Sequence, residues 1–226
     1  MKLLSIGSFL FFMKERKTME TVQEFRGVDN LVYAKVITDT LEKFETGEVK
    51  MLAPVAEIAK TVETASDTKF YDNRAALTIN AQGADTITTT IPALDLVTLA
   101  DITGKQIDEE TGAYLDGEII PTSIALGYRL KLTDGTYRYV WRYKGTFGIP
   151  DETSATENAG TDTNNQQLTY TGISTVHKFT KGGSQKGLVV DERDGKADLS
   201  TFFEKVTTAD TLKPKTPPQP ALLKSK

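Results

Sequence analysis

Two runs of alternating side chains flank a single Asp-Gly pair, and this arrangement constrains the fold more than any other feature of the chain. Ile124 to Thr133 and Thr136 to Phe147 lie on either side of Asp134-Gly135. A two-residue Asp-Gly loop between alternating runs specifies an antiparallel hairpin. Such a loop also sets the register, because Thr133 must oppose Thr136. Leu132 then faces Tyr137, Leu130 faces Tyr139, Tyr128 faces Trp141 and Leu126 faces Tyr143. These large pairs share one face, which the pattern predicts to be core. Cross-strand pairs of this kind contribute about 0.2–1 kcal/mol each. The other face carries Arg129, Lys131, Arg138, Arg142 and Lys144, with Lys131 directly opposite Arg138. Like charges so placed repel, so this register calls for an acidic cover.

The rest of the chain extends a β-rich pattern. Leu31 to Thr40 reads as a first strand, and Glu42 to Pro54, charged and glycine-bearing, as a protruding loop or hairpin tip. Val55 to Glu63 and Phe70 to Ile79 are further strand candidates. Asp85 to Ile91 is rich in threonine and isoleucine, which favours strand, and Gly83 before it signals a turn. Pro92 opens the clearest helical pattern, over 93–103, and Gly104 is placed to stop it. Gln106 to Pro121 is loop-like, with Asp108, Glu109, Glu110, Asp116 and Glu118 and no lysine or arginine. Pro150 to Asn165 carries Asp151, Glu152, Glu157 and Asp162 without a base, a composition that predicts a mobile loop. Leu168 to Thr180 and Gly187 to Val190 read as closing strands. Asp198 or Ser200 is a candidate cap for a short helix through Phe202, Phe203 and Val206. The end, Lys213 to Lys226, has prolines at 214, 217, 218 and 220 and predicts a flexible tail.

The composition speaks against most chemistry. The chain has 226 residues, no cysteine and one histidine, which removes disulfide frameworks and thiolate metal sites. A Ser-His-Asp triad would need His177, which lies in the plain strand pattern Thr175 to Phe179 and reads as a surface or interface histidine. Gly104-Lys105 resembles the end of a phosphate loop, but Leu99 stands where the first glycine belongs and Gln106 where Ser or Thr belongs. A calcium loop with Gly195 in sixth place would begin at Val190 and end at Thr201, so both end ligands fail. No catalytic, cofactor or metal residues are therefore expected. With 38% hydrophobic residues the chain can bury a core, and its net charge of −4 argues against a surface built wholly for nucleic acid.

The first residues call for a choice of their own. Leu3 to Met13 form an apolar run behind Lys2, too short to span a bilayer. Lys14 to Lys17 follow at once with no A-x-A-like cleavage site. Lys14-Glu15-Arg16-Lys17 back-translates to purine-rich codons shortly before Met19, the pattern of a bacterial ribosome-binding site. The expectation is that translation starts at Met19 and that 1–18 is a non-native extension. A real extension and a targeting signal are the alternatives.

The run Phe25-Arg26-Gly27-Val28-Asp29-Asn30-Leu31-Val32-Tyr33-Ala34 resembles the opening of major tail proteins, the tail tube proteins of phages with long non-contractile tails found among phages and prophages of Gram-positive bacteria. The resemblance continues through Ala75 to Ile79, the helix at 93–103, Tyr137 to Trp141 and Lys144-Gly145-Thr146-Phe147. It covers roughly 25–206. It implies a mainly β fold with one flanking helix, a β-sandwich or barrel of the tail tube type with long loops. The domain organisation would be a tail tube β domain over 19–206, followed by the flexible C-terminal tail over 207–226 that the prolines predict and that has no counterpart in the family. It further implies a structural virion protein assembled in the host cytoplasm, whose rings, usually hexameric, stack into the conduit for DNA ejection. Implied partners are further copies of the chain and the tape-measure, tail terminator and baseplate proteins, with DNA passing non-specifically through the lumen and no membrane or small-molecule substrate. In that setting Arg129, Lys131, Arg138, Arg142 and Lys144 are candidate interface residues. Asp108, Glu109 and Glu110, or Asp151, Glu152, Glu157 and Asp162, are their candidate acidic partners on a neighbouring subunit. An exported surface or adhesion β-module and a nucleic-acid-binding β domain are the other readings.

Overall fold

The structure, a computed structural model, describes residues 22–151 and 165–216. The expected extension 1–18, the acidic residues Glu152, Glu157 and Asp162, and the end of the proline-rich tail lie outside the described residues.

The described chain is mainly β with one α-helix. Its strands are β1 (Phe25–Asp39), β2 (Phe44–Thr46), β3 (Lys50–Ala53), β4 (Glu57–Tyr71) and β5 (Arg74–Ile91). The helix α1 (Leu96–Thr103) is followed by the two-residue strands β6 (Gln106–Ile107) and β7 (Tyr114–Leu115). Strands β8 (Ile124–Leu132), β9 (Tyr137–Phe147), β10 (Gln166–Ile173) and β11 (Gly187–Asp191) complete it. One antiparallel sheet runs β2-β1-β8-β9-β10-β5-β4, with β3 added to β1 and β11 to β9, while β6 and β7 pair separately. The sheet folds over on itself as a β-sandwich, because strands from both ends of this order share one core. Leu31 and Tyr33 of β1 and Leu52 of β3 belong to the same buried cluster as Ile87 and Ile91 of β5 and Leu168 and Tyr170 of β10. A second cluster covers the other side, where Trp141 and Tyr143 of β9 meet Val32, Phe179, Phe202 and Val206.

The register of the central hairpin differs from the expected one by a single residue. Lys131 pairs with Tyr137, Leu130 with Arg138, Arg129 with Tyr139, Tyr128 with Val140 and Gly127 with Trp141. The reason lies in the turn. Gly135 has φ +88°, its N–H donates to the Leu132 carbonyl, and Leu132 N–H donates to Thr136 O. That is a three-residue loop, Thr133 to Gly135, ending in a left-handed glycine, rather than a two-residue loop. A one-residue slip sends every side chain of one strand to the opposite face relative to its partner. Both faces of this hairpin are buried: Leu126, Tyr128 and Val140 enter the first core and Ala125, Trp141 and Tyr143 the second.

Helix α1 starts at Leu96, later than Pro92 suggested, because the Asp95 carboxylate caps it by accepting the Thr98 N–H at 2.8 Å. It stops at Gly104, in the left-handed conformation with φ +76°, as the sequence indicated. Asp101 fastens it to the sheet, meeting Lys35 at 2.5 Å, Lys50 at 3.1 Å and the Tyr33 hydroxyl at 2.9 Å.

Several segments depart from the expected elements. Glu42 to Pro54 folds back as β2 and β3 onto β1, so it does not protrude. Gly83 is not a turn but lies inside β5, beside a register shift of β4 between Val62 and Thr64. Thr175 to Phe179 is not strand: β10 ends at Ile173, and the Asp39 carboxylate accepts the backbone N–H groups of Val176 and His177, each at 2.9 Å. The stretch from Asp198 has the expected cap, with Asp198 accepting Ser200 N–H at 3.1 Å, but continues as turns rather than helix. Residues 207–216 are no loose tail. Thr208 is buried, Leu212 packs on the second core, and Pro214 bridges Ala197.

Candidate assembly surface

Strands β4 and β5 are 15 and 18 residues long, far more than the body of the sheet requires. β5 pairs with β10 only over Asp85 to Ile91. Beyond Asp85 it pairs with β4 alone, as far as a turn at Asp72-Asn73. Both turn residues have positive φ, +49° and +62°, which Asp and Asn accept more readily than other side chains. This is a true two-residue hairpin turn. At ~3.3 Å per residue the unsupported part extends roughly 30 Å.

The arm has two different faces. Lys69 pairs with Leu77, Asp67 with Ile79 and Ala65 with Ala81, and a register shift after Lys69 sets Phe70 opposite Ala75. The other face pairs Thr68 with Thr78, Ser66 with Asn80 and Thr64 with Gln82. Phe70 and Tyr71 are each 66% exposed, Leu77 53% and Ile79 49%. An isolated two-stranded hairpin is marginally stable in water, and a contiguous exposed apolar row marks an interaction surface. Among the described residues β4 is also an edge strand, whose outer backbone groups are able to take another strand. More apolar surface is open at the helix end, where Leu96, Val97, Ile119 and Ile120 are exposed.

The five basic residues expected on one face are divided between two. Arg129 and Lys131 share a side with Tyr137 and Tyr139, while Arg138 and Arg142 lie opposite Leu130 and Leu126 on the other. Four of them already have acids in their own chain. Arg129 meets Asp29 at 2.5 Å, Arg138 meets Asp191 at 2.9 Å, Arg142 meets Asp85 at 3.3 Å and Lys144 meets Asp39 at 2.7 Å. Lys131 is exposed beside the Tyr137 ring. The uncompensated basic face therefore does not exist, and with it goes the ground for a cover by a neighbour's acids. Asp108 is spent on its own loop, accepting from Thr111 Oγ1 at 2.5 Å and Glu110 N–H at 3.1 Å. Lys105 closes the same loop through Asp116 at 2.8 Å. Glu109, Glu110 and Asp151 are exposed.

The charged pairs lower the carboxyls they hold. Burial alone would push the Asp85 carboxyl up, but hydrogen bonds from Lys186 and Lys60 and the charges of Lys60 and Arg142 hold it below the ordinary carboxylate range. Asp39 behaves likewise through Lys144 and the two backbone N–H groups. The Arg193 and Arg138 guanidiniums bring Asp191 down to about 2. His177 stacks edge-on against Phe179, centroids 4.9 Å apart. Among the described residues no group of three His, Asp or Glu is placed to hold a metal ion, and no helix is long and apolar enough to cross a membrane. The chain matches no protein-family model and no curated protein.

Proposed function

We propose that this chain is a structural subunit that assembles with further copies of itself into stacked rings, forming the tail tube of a phage with a long non-contractile tail. The observation that carries the reading is the β4–β5 arm: a two-stranded projection with an apolar row and an edge that no strand covers among the described residues, which another chain can bury. Strand addition and packing of the apolar row are the contacts it is equipped to make. The resemblance of Phe25 to Ala34 and the later segments to major tail proteins supplies the biological setting. Its partners would then be other copies of the chain and the tape-measure, terminator and baseplate proteins, and its lumen would conduct DNA without reading it. On this reading the work is mechanical rather than chemical, and the buried ion pairs serve to keep the subunit rigid.

Sedimentation velocity over a rising concentration series tests the proposal. The full chain should pass from a slow subunit to large assemblies over a narrow range. A chain in which 64–82 is replaced by a short turn should remain a folded monomer throughout. A full chain that stays monomeric at every concentration would overturn the reading.

A further inference from the structure

At the root of the arm three cations converge on one carboxylate. Asp85 is buried, and its oxygens meet Lys186 Nζ at 2.8 Å, Lys60 Nζ at 3.2 Å and Arg142 at 3.3 Å. Lys186 also donates to the Gly83 carbonyl. Three positive charges thus surround one negative charge. The nearby Glu63, whose carboxylate lies beside Gly83, is on the exposed part of β4. These bases are not ordinary solvated surface cations: the side chain of Arg142 is 11% exposed, that of Lys186 18% and that of Lys60 32%. Arg142 Nε is buried and has no hydrogen-bond partner. The group opens into a cleft of about 470 Å³, lined also by Ser174 and Gln185.

An unpaired buried donor costs about 1–3 kcal/mol, and excess buried charge costs more unless it is matched. Both costs fall if an anion enters the cleft. The donors approach from separate elements, β4, β9 and the segment before β11, which suits a ligand with oxygens pointing several ways. Arginine offers a planar fork and lysine a point charge, the usual pairing at phosphate sites. We infer that this cleft binds a small tetrahedral oxyanion of the phosphate or sulfate class, held by Arg142, Lys186 and Lys60. The ion would tie β4 and β5 to β9 at the base of the arm, so its occupancy sets how firmly the arm is held.

Calorimetric titration and thermal unfolding of the full chain with sodium phosphate or sulfate, against sodium chloride at equal ionic strength, test this. Saturable binding with a rise in Tm is expected, and Lys60→Met and Lys186→Met should each weaken Kd at least tenfold. Lys60 is the more exposed, so its variant keeps the test open if Lys186→Met fails to fold. No effect beyond chloride overturns the proposal. Unchanged phosphate binding in a folded variant means an adventitious ion only, and also overturns it. If acetate at the same ionic strength stabilises as well as phosphate, the cleft is a carboxylate site and the assignment fails.

Discussion

Replacing Leu77 and Ile79 together by threonine separates the arm's role in assembly from any role in folding. Both side chains lie on the apolar row and are about half exposed in the subunit. Threonine supplies a β-branched side chain suited to strand at both positions and matches what the opposite face already carries. The subunit itself should lose no more than about 0.5 kcal/mol, as for other surface substitutions. In an assembly that covers the row, each native side chain gains the burial still left to it. Full burial of Leu or Ile is worth about 1.5–3 kcal/mol, so covering the exposed half gives about 1 kcal/mol each and about 2 kcal/mol per arm. At about 1.4 kcal/mol per tenfold, the concentration needed for assembly should rise roughly 30-fold. Pelleting across a dilution series reads that concentration, and circular dichroism with thermal unfolding checks that the subunit is intact. An unchanged threshold with an intact fold would mean that the arm's apolar row is not the contact.

Two further predictions concern the subunit. Gly145→Ala should destabilise it by about 1–3 kcal/mol or more in urea unfolding, because a Cβ there would collide with the Thr171 carbonyl and the Tyr170 ring; stability within 0.5 kcal/mol of the parent would show the contact to be looser than described. Asp191→Asn tests the pH linkage. The folded carboxyl lies at about 2 against an ordinary 3.8, so its contribution is complete above about 3.8 and lost as pH falls through about 2. The variant should therefore melt below the parent at pH 7 and converge with it near pH 2, and a difference that persists at pH 2 would contradict the assignment.

The elements of the fold were largely legible in the sequence, and their relations much less so. Alternation and the Gly104 stop gave the strands β1, β8, β9 and β11 and the end of α1. The register was lost because Asp-Gly serves both a two-residue loop and a three-residue loop with a terminal left-handed glycine, and the sequence does not distinguish them. That slip alone assembled a basic face that the fold does not contain. The acids that neutralise those bases were hidden by separation along the chain: Asp29 is 100 residues from Arg129, and Asp39 is 105 from Lys144. Reversing Arg138 and Arg142 to glutamate would break the ties to Asp191 and Asp85 and destabilise the subunit itself. The arm was missed for another reason. Periodicity assumes that an apolar row faces the chain's own core, and here the row leaves it. Asp72-Asn73, two residues tolerant of positive φ between Tyr71 and Arg74, was the available signal for its turn.

Electron microscopy of the purified chain at high concentration shows whether its copies build the proposed tube. Hollow tubes or stacked rings of uniform diameter are expected, with the β4–β5 arm resting on a neighbouring subunit. A field of uniform single subunits, unchanged at the highest concentration reached, would contradict it.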